Sequence, residues 1–534
     1  MTTPPTLDIP QPAVVPSIFA GLLGRPLLMC LAAGLLAITL RLSLLPVIPI
    51  PTPRIHDEFS YLLGADTFAD GRITNPPHPM WVHFETFHVN MQPTYCSKYF
   101  PAQSLSLAFG QKFLGHPWFG VCLDMGLMFA AICWMLQGWT APKFALATTL
   151  LALASWGLTT YWINSYWGGA IPALGGLLVI GAVPRLAQKI TAGPSLMAAI
   201  GSAVLANSRP FEGALTVISS TAVFLWWRHR ERQPWRSVFD RRLFGPFALV
   251  LLPVVAAMAY YNYRTTGSPM VPPYVVHERI YAASPRFYLQ APVAVPVYRH
   301  EIIRQLWEWD RSMYLAARRN PLNPIMVGAS SAVPLFLMNL LAPAALAGLL
   351  WGNRTRVIAA LAILSLPIAG LLMEKAFEAH YLAPMCGAFL ILAAEGLKGV
   401  AQQVRAPSAP IILAGIVLGL SISQVASAAR GPAGWPNGIY SRPRLIEQLQ
   451  QKGGHHLVLV RYGPHHNLFE EWVYNRADID RSDIVWARDM GDEKNRELVD
   501  YYNYRTTWVL EPDVEPIALR PYRPADAALP RASR

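Results

Sequence analysis

Long apolar stretches alternate with short polar ones along most of the chain. Runs near residues 26–47, 118–137, 143–161, 170–186, 191–207, 211–227, 243–262, 328–351, 357–373, 382–397 and 409–429 predict about 11 membrane-spanning helices. Each approaches the roughly 20 mostly apolar residues that a helix needs to cross a bilayer. Several are short or interrupted by Gly and Pro. Three longer polar regions break the pattern, at 48–117, at 263–327 and from 430 to the end. In the last of these the period changes. "HHLVLVRYG", "SDIVWARD" and "TTWVLEPD" read as strands, and "RLIEQLQQ" and "EKNRELVDYY" as helices. Strands alternating with helices predict a small α/β unit over 430–534, long enough to bury a modest core of its own. "ARGPAGWPNG" reads as the linker into it. No internal repeat or low-complexity tract interrupts the series. The fold class expected is therefore an all-α polytopic membrane domain, residues 1–429, followed by a small α/β domain.

Composition agrees. The 534 residues are 53% hydrophobic and 14% charged, where a soluble protein carries about 25% charged residues. The 17 Trp and 21 Tyr suit aromatic belts at the two interfaces. A net charge of +12 would point to nucleic acid in a soluble chain. Here the basic residues sit mostly in short connections, so topology explains them and no nucleic-acid partner is expected. With the N-terminus inside, the short inner segments hold Arg25, Lys143, Arg185, Lys189, Arg228, Arg230, Arg232, Arg236, Arg241, Arg242, Arg354, Arg356, Lys398 and Arg405. The short outer ones hold Arg209 and Lys375. That bias follows the positive-inside rule. It predicts a multi-pass protein of a bacterial inner membrane, N-terminus cytoplasmic, with the three large polar regions in the periplasm or outside the cell. The chain start lacks a basic signal-peptide region, so the first span is expected to stay as an anchor. Of five cysteines, Cys30, Cys122, Cys133 and Cys386 lie in apolar spans and Cys96 stands alone in a polar loop. No CxxC occurs, which argues against a disulfide framework or a zinc ribbon.

The unusual polar residues collect on the outer side. Asp57 and Glu58 follow the first span. "NSRPFEG" places Arg209 and Glu212 at an outer turn, "YYNYRTTGSPM" places Tyr261, Asn262 and Arg264 at another, and "EKAFEAHYLAP" places Lys375, His380 and Tyr381 at a third. Ionisable groups at membrane depth are costly, so they pair or work. A carboxylate within hydrogen-bond reach of an acceptor hydroxyl serves as a general base. Arginine and lysine at the same level hold a phosphate. Together they suit transfer of a group from a lipid-linked phosphate, whose developing charge the cations stabilise.

The run "HDEFSYLLGADTFADGR" after the first span resembles the acidic motif of the GT-C membrane glycosyltransferases, in the bacterial branch similar to protein O-mannosyltransferases and aminoarabinose transferases. "NSRPFEG" and "HYLAP" are similar to segments of relatives. The resemblance covers roughly residues 20–430. It implies a polyprenyl-phosphate sugar donor, inversion at the anomeric carbon, and an envelope acceptor (glycan, lipid or protein). Carried onto this chain it makes Asp57 the base and Glu58 its neighbour. Arg209, Arg264, Lys375 and His380 become candidates for the donor phosphate. Tyr61, Glu212, Tyr261, Asn262, Tyr381 and Trp167 become candidates for substrate contacts. "NPPHPMWVHFETFHVNMQPTYCSKYFPAQSLSLA" departs from the mannosyltransferase pattern, so mannose is not implied.

Plainer readings stand beside these. Arg209 pairs with Glu212 at a turn, or binds donor. Arg264 is a solvated loop residue, or binds donor. Arg41 snorkels to the interface, or reaches the phosphate. "YWINSYWGG" is an interface belt, or a platform for a sugar. His56, His78, His83 and His88 lack a zinc signature, and their spacing does not place them on one helix face. No metal ligands are assigned, although some members of the superfamily use a divalent ion at the acidic motif, which leaves a divalent cation at Asp57 open. Two other functional classes fit a polytopic chain of this kind, a transporter or flippase of lipid-linked sugars and a non-catalytic protein of envelope-polysaccharide assembly. A transporter is expected to show repeats and paired broken helices, and neither is visible here.

Overall fold

Proline starts many of the helices. The computed structural model describes residues 21, 23–337, 339–404, 409–430 and 441–523. In chain order its helices are α1 Pro26–Ser43, α2 His56–Ala69, α3 Pro101–Leu114, α4 Trp118–Trp139, α5 Pro142–Trp156, α6 Ala170–Gln188, α7 Ala192–Ala206, α8 Pro210–Arg230 and α9 Arg241–Thr266. There follow α10 Pro273–Tyr281, α11 Glu301–Arg319, α12 Leu322–Ala332, α13 Leu341–Trp351, α14 Arg354–Leu371, α15 Cys386–Gln403, α16 Ala409–Ala429, α17 Ser441–Lys452 and α18 Asp492–Tyr501. α1, α3, α5, α8 and α10 each begin at a proline. Its missing N–H costs nothing there, and its fixed φ suits the first turn. α3 and α9 end at Gly115 and Gly267, whose φ of 81° and 82° glycine adopts without strain.

Each apolar stretch read from the sequence is mostly helical in its described residues. Among the described residues six helical segments are long and apolar enough to cross a membrane, or up to seven if the bent pair Leu322–Leu337 and Leu341–Trp351 is one span. The expected 11 is not met on that criterion. α5 and α7 have only 15 residues each, short of a full crossing at 1.5 Å per residue. Arg405 and most of the "ARGPAGWPNG" linker lie outside the described residues.

Small residues let the helices approach closely. A Cβ on Gly396 of α15 would fall 1.7 Å from Ala344 O of α13, and one on Gly348 would fall 2.0 Å from Leu392 O. Backbone contact of this kind is how helices pack where lipid removes the hydrophobic drive. The tryptophans are not belts alone. Trp118, Trp139, Trp156 and Trp162 are fully buried. The first three donate their indole N–H to Ile163 O, Ile180 O and Leu335 O, as buried tryptophans usually do.

In the C-terminal unit β3 (His456–Val460) lies between β4 (Ile484–Arg488) and β5 (Thr506–Leu510), parallel to both. β6 (Leu519–Pro521) is antiparallel on β5. The earlier β1 (Val89–Asn90) and β2 (Cys96–Ser97) form a small hairpin in the first polar loop. Strand residues alternate between two faces. Val458 and Val460 pack with Leu445 and Leu449 of α17, while Leu457 and Leu459 pack with Leu498 of α18. Leu63, Phe84, Val89, Met91 and Tyr95 of the first outer loop belong to that second cluster. The sheet is thus buried on both faces, which explains the unbroken apolar run "LVLV". The tail shares one core with the loop that carries Asp57. Arg476 pairs with Asp66 at 2.7 Å, and the buried Arg488 donates to Glu85 O at 2.6 Å and pairs with Glu471 at 2.7 Å.

Candidate active site

The two neighbouring acids have different surroundings. Successive helical residues point about 100° apart, so Asp57 and Glu58 cannot share a partner set. Glu58 is the third residue of α2 and reaches back over the helix start. Its carboxylate accepts from Arg54 N (2.6 Å), Ile55 N (2.9 Å) and Tyr166 N (3.0 Å). This capping arrangement satisfies amides that the helix leaves unpaired. It also ties α2 to the turn that follows α5. Glu58 is 3% exposed and does not line the cavity.

Asp57 does line it. The Tyr99 hydroxyl donates to Asp57 Oδ1, His56 Nδ1 lies 3.1 Å from Oδ2, and His88 Nε2 lies 4.0 Å from Oδ2. Burial acts to raise this carboxyl, but His88, His56 and Tyr99 hold it well below the usual carboxylate range. His88 has a φ of 60°, a region a residue with a side chain seldom enters. Ser60 Oγ and Lys98 N pin its carbonyl at 2.6 and 3.1 Å. Strain of this kind, about 1–3 kcal/mol, persists where surrounding contacts over-determine the backbone.

The cavity in front of Asp57 holds about 200 Å³. Lys98, Arg286 and Lys375 supply its cations, and Asp57, Glu278, Asp310 and Glu374 its carboxylates. The ions are paired. Lys98 is 4.0 Å from Glu278, and Lys375 is 2.5 Å from Asp310 and 2.9 Å from Ser284 Oγ. Arg286 bridges Glu374 at 2.8 Å and Glu212 at 3.0 Å. Burial pushes Lys98 down, and it raises Glu374 to about 7 against the pull of Arg286. Lys98 sits 5.2 Å from the Tyr99 ring, 5.4 Å from Tyr274 and 5.9 Å from Trp307, so aromatic faces meet the ammonium.

Of the sequence candidates, Asp57, Lys375 and Tyr381 line this cavity. Arg209 lies behind Tyr381, its guanidinium 4.1 Å from that ring and 3.7 Å from Glu212. Glu212 is 1% exposed and serves Arg209 and Arg286. Tyr61 stacks on Tyr99 at 4.5 Å, one layer back. His380 and Trp167 pack edge to face at 4.7 Å, and His380 faces the Tyr161 hydroxyl at 3.3 Å, outside the cavity wall. Arg264 points away, exposed and bonded to the Tyr260 hydroxyl at 2.9 Å. Asn262 donates to Pro269 O, and Tyr261 packs on Phe68. Neither lines the cavity. Arg41 reaches neither solvent nor cavity. Its guanidinium is buried on Asn164, Ile48 O and the Trp118 ring.

The sequence reading missed Lys98, Tyr99, Tyr274, Glu278, Arg286, Trp307, Trp309 and Asp310, and weighed His88 only as one of four histidines. They sit in the two large outer loops with no local motif. The one available signal was the density of ionisable and aromatic residues in those loops. The histidines His56, His78, His83 and His88 separate. His78 meets Asp480 and His83 meets Arg488 O, both in the C-terminal unit. His56 and His88 converge on Asp57, with one ligand atom of each within 4.8 Å of the others. His56 Nε2 and His88 Nδ1 are buried without a hydrogen-bond partner. Two imidazoles and a carboxylate with such unused nitrogens fit a transition-metal ion better than calcium or magnesium.

No protein-family model matches the sequence, and no curated protein matches it. Among solved structures the chain is similar to an oligosaccharyltransferase of Archaeoglobus fulgidus. Against its complex with Zn and sulfate the TM-score is 0.44 at 10% identity, covering 90% of this chain and 67% of that one. Against the form tethered to an acceptor peptide with the NVT sequon it is 0.43 at 10% identity, covering 91% and 68%. Against the archaeal oligosaccharyltransferase AglB with an inhibitory peptide and a dolichol-phosphate it is 0.38 at 11% identity, covering 91% and 69%. Superposition at this level does not speak to activity, which has to be read from the site itself.

Proposed function

We propose that the chain is a membrane glycosyltransferase of the GT-C type. It moves a sugar from a polyprenyl-phosphate donor to a hydroxyl of an envelope acceptor, at the outer face of a bacterial inner membrane. The observation that carries this reading is the Asp57 cavity. It joins a carboxylate held ionised to a wall bearing Lys98, Arg286 and Lys375. The acceptor hydroxyl docks on Asp57. Its oxygen bonds to the anomeric carbon while the bond from that carbon to the donor phosphate oxygen breaks. The electron pair leaves with the lipid phosphate, whose charge the cations meet. The proton passes to Asp57. A carboxylate with a depressed pKa is a weak base, so Asp57 works chiefly by orienting the hydroxyl.

Three cations face four carboxylates on the cavity wall, so an incoming phosphate finds little net positive charge. His56, Asp57 and His88 would hold a divalent cation, which would supply that charge as a Lewis acid.

The test is mass spectrometry of envelope glycans, lipids and proteins from cells carrying wild type, a deletion, Asp57→Asn or Lys98→Ala at matched folded expression. The deletion and both variants are expected to lose the same sugar. Normal transfer by Asp57→Asn removes Asp57 from the mechanism. Accumulation of an untransferred lipid-linked sugar on the inner leaflet in the deletion would point to a flippase instead.

A further inference from the structure

We infer that the acceptor is a saccharide, seated in an aromatic corner that the C-terminal unit completes. This inference rests on the glycosyl-transfer reading of the Asp57 cavity. Trp309 of α11 lines the cavity and is 43% exposed. Phe469, from the irregular segment between β3 and β4, is 38% exposed and meets Trp309 at 5.4 Å with the rings at 88°. The same Phe469 ring stacks on His56 at 6.0 Å, which is next to Asp57. Two aromatic rings at right angles, open to solvent, thus stand at the edge of the cavity that holds the acid.

Neither ring is needed there for the core. Leu468 packs inward beside Trp307, while Phe469 stays out. The corner is flanked by carboxylates, since Asp310 follows Trp309 in the chain and Glu278 lies across the cavity. The C–H face of a sugar ring is apolar and its rim is hydroxylated. Aromatic faces with carboxylate acceptors beside them match that pattern, since binding sites combine apolar walls with a few placed polar groups. A peptide would be served by unpaired backbone groups along a groove, and the corner offers side chains instead.

The unit is held in place for this task. Tyr474 stacks on Phe59 of α2 at 4.2 Å, and Arg442 lies 5.1 Å from the same ring. α2 carries Asp57, so these contacts set the corner and the acid in one frame. Phe469 and Trp309 are positioning residues for the acceptor.

The experiment compares the full chain in its host with Phe469→Ala, Trp309→Ala, Phe469→Trp and Asp57→Asn, at matched folded expression. The product is located by mass spectrometry. The same detergent-solubilised proteins are then titrated with that purified acceptor. The expected result is a sugar joined to another sugar. KM for the acceptor rises about tenfold or more in both alanine variants, with kcat changed far less, and Phe469→Trp recovers near-normal KM. Joining to a protein side chain would overturn the saccharide inference and leave the transferase reading intact. A saccharide product with unchanged KM in the alanine variants would overturn the aromatic corner. If neither a deletion of the chain nor Asp57→Asn changes any glycosylated product, the transfer reading itself fails, and the inference with it.

Discussion

Replacing Glu58 by Gln separates the two acids of the "HDE" run most cleanly. The carboxylate of Glu58 accepts three backbone N–H groups, two on Oε2 and one on Oε1. A glutamine keeps one oxygen, which still serves Arg54 N and Ile55 N. Its amide NH2 then faces Tyr166 N–H, donor against donor. An orphaned buried donor costs about 1–3 kcal/mol. Loss of the negative charge at the α2 N-terminus adds about 0.3–1 kcal/mol. The sum is about 1.5–4 kcal/mol of local stability. Hydrogen exchange read by mass spectrometry should therefore speed up about tenfold or more at residues 54–58 and at Tyr166, where amide opening controls the rate. Turnover per folded molecule should fall by much less than in Asp57→Asn, which leaves those three bonds intact. Unchanged exchange together with turnover abolished as fully as in Asp57→Asn would refute this division. It would return Glu58 to the chemistry.

Glu374 titrates near 7 while paired with Arg286. Its folded pKa is above the unfolded value of about 4.3, so the folded state gains most below that value and loses the gain as pH rises through about 7. Below 7 the neutral acid also removes one of the two carboxylate charges on Arg286, Glu212 remaining, which favours an incoming anion. Polyprenyl phosphate should bind up to about tenfold more tightly at pH 6 than at pH 8, and Glu374→Gln should flatten the difference in a titration series. Arg488→Met strands Glu471 and should cost about 3–5 kcal/mol, read as protease sensitivity of the C-terminal unit. Gly396→Ala puts a Cβ on Ala344 O and should cost about 1–3 kcal/mol, read as lower thermal stability in detergent.

Hydropathy located the helices because lipid burial acts over whole segments, and each apolar run contains a helix. It does not settle the number of crossings, since α5 and α7 are apolar yet only 15 residues long. The strands of the tail were legible from period and β-branched content. Their partner surface was not, since Leu63, Phe84 and Met91 lie far away in sequence. Asp57 was legible from its place after the first span, and Lys375 from its outer turn. Arg264 was misleading for a physical reason. It lies at the end of an exposed helix, where a neighbouring tyrosine suffices as partner. The cations that do line the cavity, Lys98 and Arg286, have their carboxylate partners, Glu278, Glu374 and Glu212, at distances the local sequence does not encode.

That pattern bears on how the site works. Every cavity cation already has a carboxylate within 4.0 Å, and removing one member of a buried pair costs more than the pair itself contributes. A phosphate must therefore displace carboxylates, or protonate one, before it gains a cation. Glu374 is the member whose pKa, about 7, allows this at modest cost. Under the proposed reading, donor capture would be coupled to proton uptake at Glu374, while the reacting hydroxyl would be handled separately at Asp57. Under the proposed transferase reading the carboxylates divide into one that caps a helix, one that would meet the acceptor and one that would loosen its hold on Arg286 for the donor.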